Sequence, residues 1–238
     1  MTIKSQIPNV ITLLNLFSGC VAVTYASKGE FEWAFFFVCL GIFLDFFDGF
    51  FARMFKVQSE LGLQLDSLAD MVTSGLVPGL VMYEYLKRLV AGLDALEFLP
   101  FAGFVITLGA CYRLANFNID TRQSDSFIGL PTPANALFII SIPLVILYSD
   151  IDFLDGILNN EWVLVLICFL SAFIMNAEIP LFSLKVKNFS FQKNALQLFF
   201  LLSSVVLLLV FGYLGVTLVI LFYVLISIVN NFLAKKEA

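Results

Sequence analysis

Residues 33–54 read WAFFFVCLGIFLDFFDGFFARM, an apolar run that carries two aspartates and an arginine in its second half. An α-helix needs about 20 residues to cross the hydrocarbon core of a bilayer, so this run is long enough to span a membrane. Carboxylates are costly at membrane depth and usually line a polar cavity or mark a functional site. The stretch therefore predicts a membrane-spanning helix with a functional site near one of its ends.

The composition of the whole chain agrees with a membrane location. Of its 238 residues, 61% are hydrophobic, 13% are charged and 28 are Phe, and the mean hydropathy is +0.98. Water-soluble domains are about a quarter charged, so this chain has too little polar surface to cover its apolar side chains in water. The net charge of −5 argues against a nucleic-acid partner. The absence of histidine excludes Ser-His and Cys-His nucleophiles and histidine metal ligands.

Further apolar segments of similar length recur along the chain. The expected spans are residues 8–27, 33–54, 63–85, 99–119, 132–149, 161–182, 195–212 and 214–233. They predict an all-α fold, a polytopic transmembrane helical bundle of about eight spans, with six as the alternative if a late hairpin is miscounted. Gly212 and Gly215 predict a tight reversal between the last two segments. We expect residues 1–238 to form a single membrane domain.

The basic residues of the connections predict the orientation of the bundle. With the N-terminus inside, nine basic residues fall on the cytoplasmic side: Lys4, Arg53, Lys56, Arg122, Lys185, Lys187, Lys193, Lys235 and Lys236. Three fall outside: Lys28, Lys87 and Arg88. We therefore expect both termini and the acidic site on the cytoplasmic side of a membrane of the prokaryotic cytoplasmic type.

A cluster of acidic residues stands out within the second and third expected spans. Its members are Asp45, Asp48, Asp66 and Asp70. Helical periodicity places Asp45 and Asp48 on one face of the second span, and Asp66 and Asp70 on one face of the third. The short link at 54–61, with Ser59 as the expected N-cap, would make the two helices antiparallel neighbours with facing carboxylates. Such carboxylates repel one another unless cations lie between them, and their oxygens suit Mg²⁺, Mn²⁺ or Ca²⁺.

Three interpretations of this cluster are open. The aspartates could pair with basic residues for packing, but Arg53 is the one basic residue nearby in the sequence. They could bind ions in a cation-coupled transporter. Alternatively, two metal ions could hold a pyrophosphate for in-line displacement. The small residues Gly49, Ala52 and Gly62 favour the last interpretation, because they would let a nucleotide approach the backbone.

One motif resembles the signature of the CDP-alcohol phosphatidyltransferases. It reads Asp45-x-x-Asp48-Gly49-x-x-Ala52-Arg53, then eight residues, Gly62, three residues, Asp66, three residues and Asp70. The resemblance includes Pro8, Asn9 and Thr12 and covers most of residues 1–145. It implies a family core there, with 146–238 as additional transmembrane helices.

The resemblance implies roles for these residues. Asp45, Asp48 and Asp66 would bind divalent metal, and Asp70 would act as the general base and also touch a metal. We expect two ions, Mg²⁺ or Mn²⁺, with Ca²⁺ as another possible occupant. The residues expected to bind the nucleotide are Asn9, Thr12, Gly49, Ala52, Arg53 and Gly62.

The acceptor is indicated by a second region. Residues 113–118, RLANFN, and 127–134, FIGLPTPA, resemble the phosphatidylserine synthase branch of that family, and so do residues 70–78. One departure is Asn116, where the branch often has arginine. The resemblance implies transfer of a phosphatidyl group from CDP-diacylglycerol to L-serine, with glycerol 3-phosphate as the alternative acceptor. It further implies membrane lipids as partners, and we expect a homodimer.

Candidates for contact with the acceptor or with a lipid phosphate are Arg113, Asn118, Arg122 and Lys185. Each cation among them has a simpler interpretation as well. Arg113 could extend to the membrane interface. Arg122 and Lys185 could contribute only to topology and head-group contact.

Overall fold

The chain is helical over the residues that the computed structural model describes, which are 3–120, 128–149, 151–182 and 195–237. The α-helices in these ranges are α1 Ile3–Lys28, α2 Phe31–Phe55, α3 Glu60–Asp70, α4 Val77–Leu89, α5 Phe104–Ile119, α6 Thr132–Tyr148, α7 Asp152–Leu158, α8 Glu161–Asn176, α9 Ala195–Phe211 and α10 Tyr213–Glu237. Short 3₁₀ turns, Asp94–Leu96 and Leu99–Gly103, precede α5. The described ranges contain no strand, only an isolated bridge between Ile128 and Pro180. The expected all-α fold is confirmed.

The described helices include five that are long and apolar enough to span a membrane: Gln6–Lys28, Phe31–Phe55, Glu60–Leu89, Asp94–Ile119 and Tyr213–Phe232. A sixth span is possible if α7 and α8, which meet at an angle of 74°, cross together. The expected number of eight is too high, and the alternative of six agrees. Two expected spans correspond to helices of 17 residues, α6 and α9. Each is about 25 Å long, less than a hydrocarbon core of about 30 Å.

The link between α2 and α3 has well-defined caps. Helix α2 is capped at its C-terminal end by Lys56, which has a left-handed backbone (φ 55°) and donates its N–H to the carbonyls of Ala52 and Arg53. Ser59 then begins α3, since its Oγ accepts a hydrogen bond from the Gly62 N–H at 3.0 Å. The expected N-cap is therefore confirmed. These two caps reverse the chain close to the acidic residues of both helices.

The third span is not a regular α-helix. A π-helical turn, Met71–Leu76, separates α3 from α4 and begins directly after Asp70. Such turns are rare in proteins, and those that do occur are often at functional sites. The carbonyl of Gly75, within the turn, accepts a hydrogen bond from Thr107 Oγ1 on α5 at 3.0 Å. Helix α5 thus supports the turn from the side.

Helix α1 organises the packing around the acidic residues. It packs extensively on α2 and also contacts α3, the π-helical turn and α4. Helix α2 contacts the third span mainly through that turn and α4, and its backbone has little contact with α3. Helix α1 therefore packs against both acidic helices, whose carboxylates meet as expected.

The last two helices form a hairpin against α6. Gly212 separates α9 from α10 with a positive φ of 54°. The ring of Phe222 on α10 lies 6.0 Å from Phe199 and 6.1 Å from Phe200 on α9, as expected for antiparallel helices. Helix α10 packs on α6, where the Ser141 and Thr217 hydroxyl oxygens are 2.8 Å apart.

Candidate active site

Three of the four predicted metal ligands form one group. Carboxylate oxygens of Asp45, Asp48 and Asp66 lie within 4.8 Å of one another. Oxygens that bind the same Mg²⁺ or Ca²⁺ ion can be at most about 4–5 Å apart, so this spacing fits a shared ion. No lysine or arginine among the described residues forms a salt bridge with these carboxylates. The salt bridge that the described residues do form joins Glu84 to Lys87 on α4. Among the described residues, the three carboxylates thus lie side by side without a salt-bridge partner.

The fourth aspartate is close to this group but outside it. Asp70 ends α3 and is buried, with 8% of its surface exposed. Its Oδ1 accepts a hydrogen bond from Asn15 Nδ2 at 3.2 Å, and Asn15 Oδ1 accepts one from Thr73 Oγ1 at 2.9 Å. The acidic residues thus divide into a group of three and a separately held Asp70.

Helix α1 contributes polar side chains to both parts of the site. The Thr12 hydroxyl forms a short hydrogen bond with Asp48 Oδ2 and also lies 3.0 Å from the Pro8 carbonyl. Asn9 and Thr12 line the neighbouring cavity, and Asn15 contacts Asp70. Sequence reasoning missed the contacts of Asn15 and Thr73. The signal available was the spacing of Asn9, Thr12 and Asn15, which puts three polar residues on one face of an apolar helix.

A cavity of about 490 Å³ opens beside the acidic group. Its lining is Pro8, Asn9, Thr12, Asp48, Gly49, Ala52, Arg53, Val57, Gln58, Ser59, Glu60, Gly62, Leu63 and Asp66. The structure thus brings together every residue that was predicted to bind the nucleotide. The volume is within the usual range for small-molecule sites.

Two glycines keep this cavity open. A Cβ atom at Gly62 would lie 3.2 Å from Ser59 Oγ and 3.4 Å from Asn9 Oδ1. At Gly49, it would lie 3.3 Å from a terminal nitrogen of Arg53. Side chains here would therefore press on the residues that line the cavity.

The candidates for acceptor contact lie elsewhere. Asn118 at the end of α5 exchanges two hydrogen bonds with Ser67, at 2.9 and 3.1 Å, and so attaches α5 beside Asp66. Arg113 does not line the larger cavity. It is buried, with 7% exposure, which does not fit a side chain that extends to the interface. Arg122 and Lys185 lie outside the described residues.

Arg113 joins separate segments of the bundle. Its Nη1 donates to the carbonyl of Ile128 at 2.9 Å and to that of Met175, in the last turn of α8, at 2.6 Å. It also lines a cavity of about 180 Å³. That lining is Tyr112, Arg113, Asn116, Asp120, Ile128, Met175, Asn176 and Glu178. The mixture of one cation with carboxylates and amides gives this small cavity a polar wall.

Comparison with known proteins identifies the family. The family model of the CDP-alcohol phosphatidyltransferases matches residues 5–172. A Helicobacter pylori (strain 26695) protein named CDP-diacylglycerol–serine O-phosphatidyltransferase is 36% identical over 200 residues, covering 82% of this chain and 77% of that protein. A Bacillus subtilis protein of the same name is 37% identical over 133 residues, covering 54% of this chain and 70% of its own. A Saccharomyces cerevisiae protein of that name is 30% identical over 174 residues, covering 65% of this chain and 60% of its own. The chain therefore belongs to the CDP-alcohol phosphatidyltransferase family.

Proposed function

We propose that this integral membrane protein transfers a phosphatidyl group from CDP-diacylglycerol to the hydroxyl of L-serine, giving phosphatidylserine and CMP. The observation that carries the proposal is the group formed by Asp45, Asp48 and Asp66 beside a cavity lined by all six expected nucleotide contacts. The relatives from Helicobacter and Bacillus support the choice of serine.

The donor atoms of the acidic group fit divalent metal. The three side chains offer only carboxylate oxygens, which Mg²⁺ and Mn²⁺ accept and for which softer ions compete less well. We assign Asp45, Asp48 and Asp66 as ligands of two ions, with Asp70 at the edge of the site and Ca²⁺ as another occupant. Ions bound there would neutralise the pyrophosphate and stabilise the charge that develops on its bridging oxygens.

The side chains around the cavity would hold the donor and accept the proton. The CMP part of CDP-diacylglycerol would lie against Gly49 and Gly62, and the Arg53 guanidinium would lie near the pyrophosphate of the donor. Asp70 would take the proton from the serine hydroxyl as that oxygen bonds to the phosphorus on the lipid side. The bond from this phosphorus to the oxygen bridging it to CMP then breaks, and the electron pair leaves with CMP.

The acceptor requires contacts of both charges, because serine is a zwitterion. Arg113 is the proposed partner of its carboxylate, through nitrogens other than the Nη1 that binds backbone carbonyls. Asn118, Arg122 and Lys185 are further candidates for contact with the acceptor or a lipid phosphate. The site is proposed to face the cytoplasm, with both termini on that side, and the enzyme is proposed to work as a homodimer.

An acceptor panel tests the proposal. Purified protein in detergent is given CDP-diacylglycerol with Mg²⁺ and, separately, L-serine, glycerol 3-phosphate, ethanolamine or no acceptor, and CMP release is measured. We expect release with serine well above all other conditions. The matched control is Asp66→Asn, which keeps the size of the side chain and should release no CMP with any acceptor.

Two results would contradict the proposal. Release with glycerol 3-phosphate but not with serine would assign the protein to another branch of the family. No release with any acceptor, together with no protection of the protein by CMP against heat, would exclude a nucleotide site. Crosslinking in detergent tests the homodimer separately.

A further inference from the structure

We infer that Asn15 and Thr73 form a positioning pair that orients the carboxylate of Asp70 towards the acceptor hydroxyl. The inference rests on the proposed function, in which Asp70 is the base. The pair comes from two different elements, α1 and the π-helical turn, and both members are completely buried, with 0% exposure. A buried amide and a buried hydroxyl in apolar helices need partners, and here each is a partner of the other.

The hydrogen bonds form a directed chain that ends on Asp70. Thr73 Oγ1 lies 2.9 Å from Asn15 Oδ1 and 3.3 Å from the Asn15 carbonyl, so both acceptors found for this hydroxyl among the described residues belong to Asn15. Asn15 Nδ2 lies 3.2 Å from Asp70 Oδ1. No other hydrogen bond to the Asp70 side chain is formed within the described part of the chain. Asp70 Oδ1 is thus bound by the amide, and Oδ2 remains for the reaction.

The Asn15 amide directs its NH₂ group at Asp70, and the Thr73 hydroxyl binds its oxygen. If the amide were turned over, its oxygen would face the Asp70 carboxylate, and two acceptors would repel each other. With the hydroxyl of Thr73 donating to Oδ1, the NH₂ group is directed at Asp70. As an acceptor, the Asp70 carboxylate selects this orientation, and the Thr73 hydroxyl completes it by donating to Oδ1.

The helices pack closely around the side chains of Asn15 and Thr73, at two glycines. A Cβ atom at Gly41 on α2 would lie 2.8 Å from Asn15 Oδ1 and 2.6 Å from Thr73 Cγ2. A Cβ atom at Gly19 on α1 would collide with Thr73 Oγ1. The two glycines let α1 and α2 approach the π-helical turn closely. The amide is consequently held between three elements, and its position does not depend on one flexible side chain.

Four variants test the inference. Asn15→Leu removes the amide at similar volume, and Asn15→Asp places a second carboxylate against Asp70. Thr73→Val removes the hydroxyl but keeps the shape, whereas Thr73→Ser keeps the hydroxyl. The matched control is Thr107→Val, because Thr107 also donates to the π-helical turn, to Gly75, but has no contact with Asn15 or Asp70.

We expect kcat to fall about 10- to 100-fold in Asn15→Leu, at least as far in Asn15→Asp, and about 10-fold in Thr73→Val, because a misaligned base loses part of its catalytic effect. Thr73→Ser should recover most of the rate. The KM for serine, the equilibrium binding of CDP-diacylglycerol and the binding of Mn²⁺ measured by electron paramagnetic resonance should change less than about threefold, since the donor and metal residues are untouched. Thr107→Val should keep the parent kcat.

Three outcomes would overturn the inference. The first is an unchanged kcat in both Asn15→Leu and Thr73→Val. The second is a loss of Mn²⁺ or CDP-diacylglycerol binding as large as the loss of kcat, which would make the pair a support of the metal group. The third is an equal loss in Thr73→Ser and Thr73→Val. If the parent uses an acceptor other than serine, the proposed function fails first, and the same comparison of kcat is made with the acceptor that releases CMP.

Discussion

Replacing Arg113 by alanine is expected to destabilise the bundle strongly. The buried guanidinium connects α5 to the segment before α6 and to the end of α8, through hydrogen bonds of 2.9 Å to Ile128 and 2.6 Å to Met175. A hydrogen bond that involves a charged group contributes about 1.5–3 kcal/mol, so the two together contribute about 3–6 kcal/mol. In a chain of this size each kcal/mol corresponds to about 2–4 °C, which predicts a fall in melting temperature on the order of 10 °C.

The assay is thermal unfolding of purified variants in one detergent, followed by fluorescence and by the fraction that stays monodisperse. Arg113→Lys should lie between the parent and Arg113→Ala, because an ammonium group cannot reproduce the planar guanidinium fork. Arg88→Ala is the matched control. Arg88 is exposed, donates to the Gly29 carbonyl at 3.0 Å and lies over the Phe31 ring. Its removal should lower the melting temperature by a few degrees at most, about 1 kcal/mol.

A melting temperature for Arg113→Ala within about 2 °C of the parent would refute the reasoning, given the two bonds that are lost. The kinetic behaviour of the same variants separates a structural role from a binding role. A rise in the serine KM of about one to two orders of magnitude at unchanged stability, the equivalent of one charge-assisted contact, would make Arg113 an acceptor contact alone.

Three further predictions concern the metals, the base and the topology. Activity should disappear with EDTA and return with Mg²⁺ or Mn²⁺; full turnover after exhaustive chelation would contradict a metal site of carboxylates. Asp70→Asn should abolish turnover and leave CDP-diacylglycerol binding largely intact, whereas Asp66→Asn should weaken that binding as well. Equal losses of binding in the two variants would make Asp70 another metal ligand. A reporter after Ala238 and a cysteine label in 120–131 should report the cytoplasm, and a label in 150–160 the opposite side. Labelling of 120–131 from outside would invert the orientation.

Much of the fold was accessible because its signals are local. The apolar run at 33–54 predicts a membrane helix by transfer energy alone, and the Ser59 cap depends on residues within one turn. Gly212 marks the break between α9 and α10 for a similar reason, since a positive φ favours glycine. The number of spans was less accessible, because α6 and α9 are as apolar as the longer spans but are shorter over the described residues.

The sequence by itself determined that this protein lies in a membrane, and its aspartate motif placed it in an enzyme family. The spacing of that motif follows helical periodicity, so it could be recognised without knowledge of the packing. Only the tertiary structure decided that Thr12 binds Asp48, that Asn15 binds both Asp70 and Thr73, and that Arg113 binds backbone carbonyls. These contacts join residues far apart in the chain. Which buried polar groups meet depends on how the helices pack. Helical periodicity predicts the helix face on which a residue lies, but it does not predict which residue of another helix contacts it.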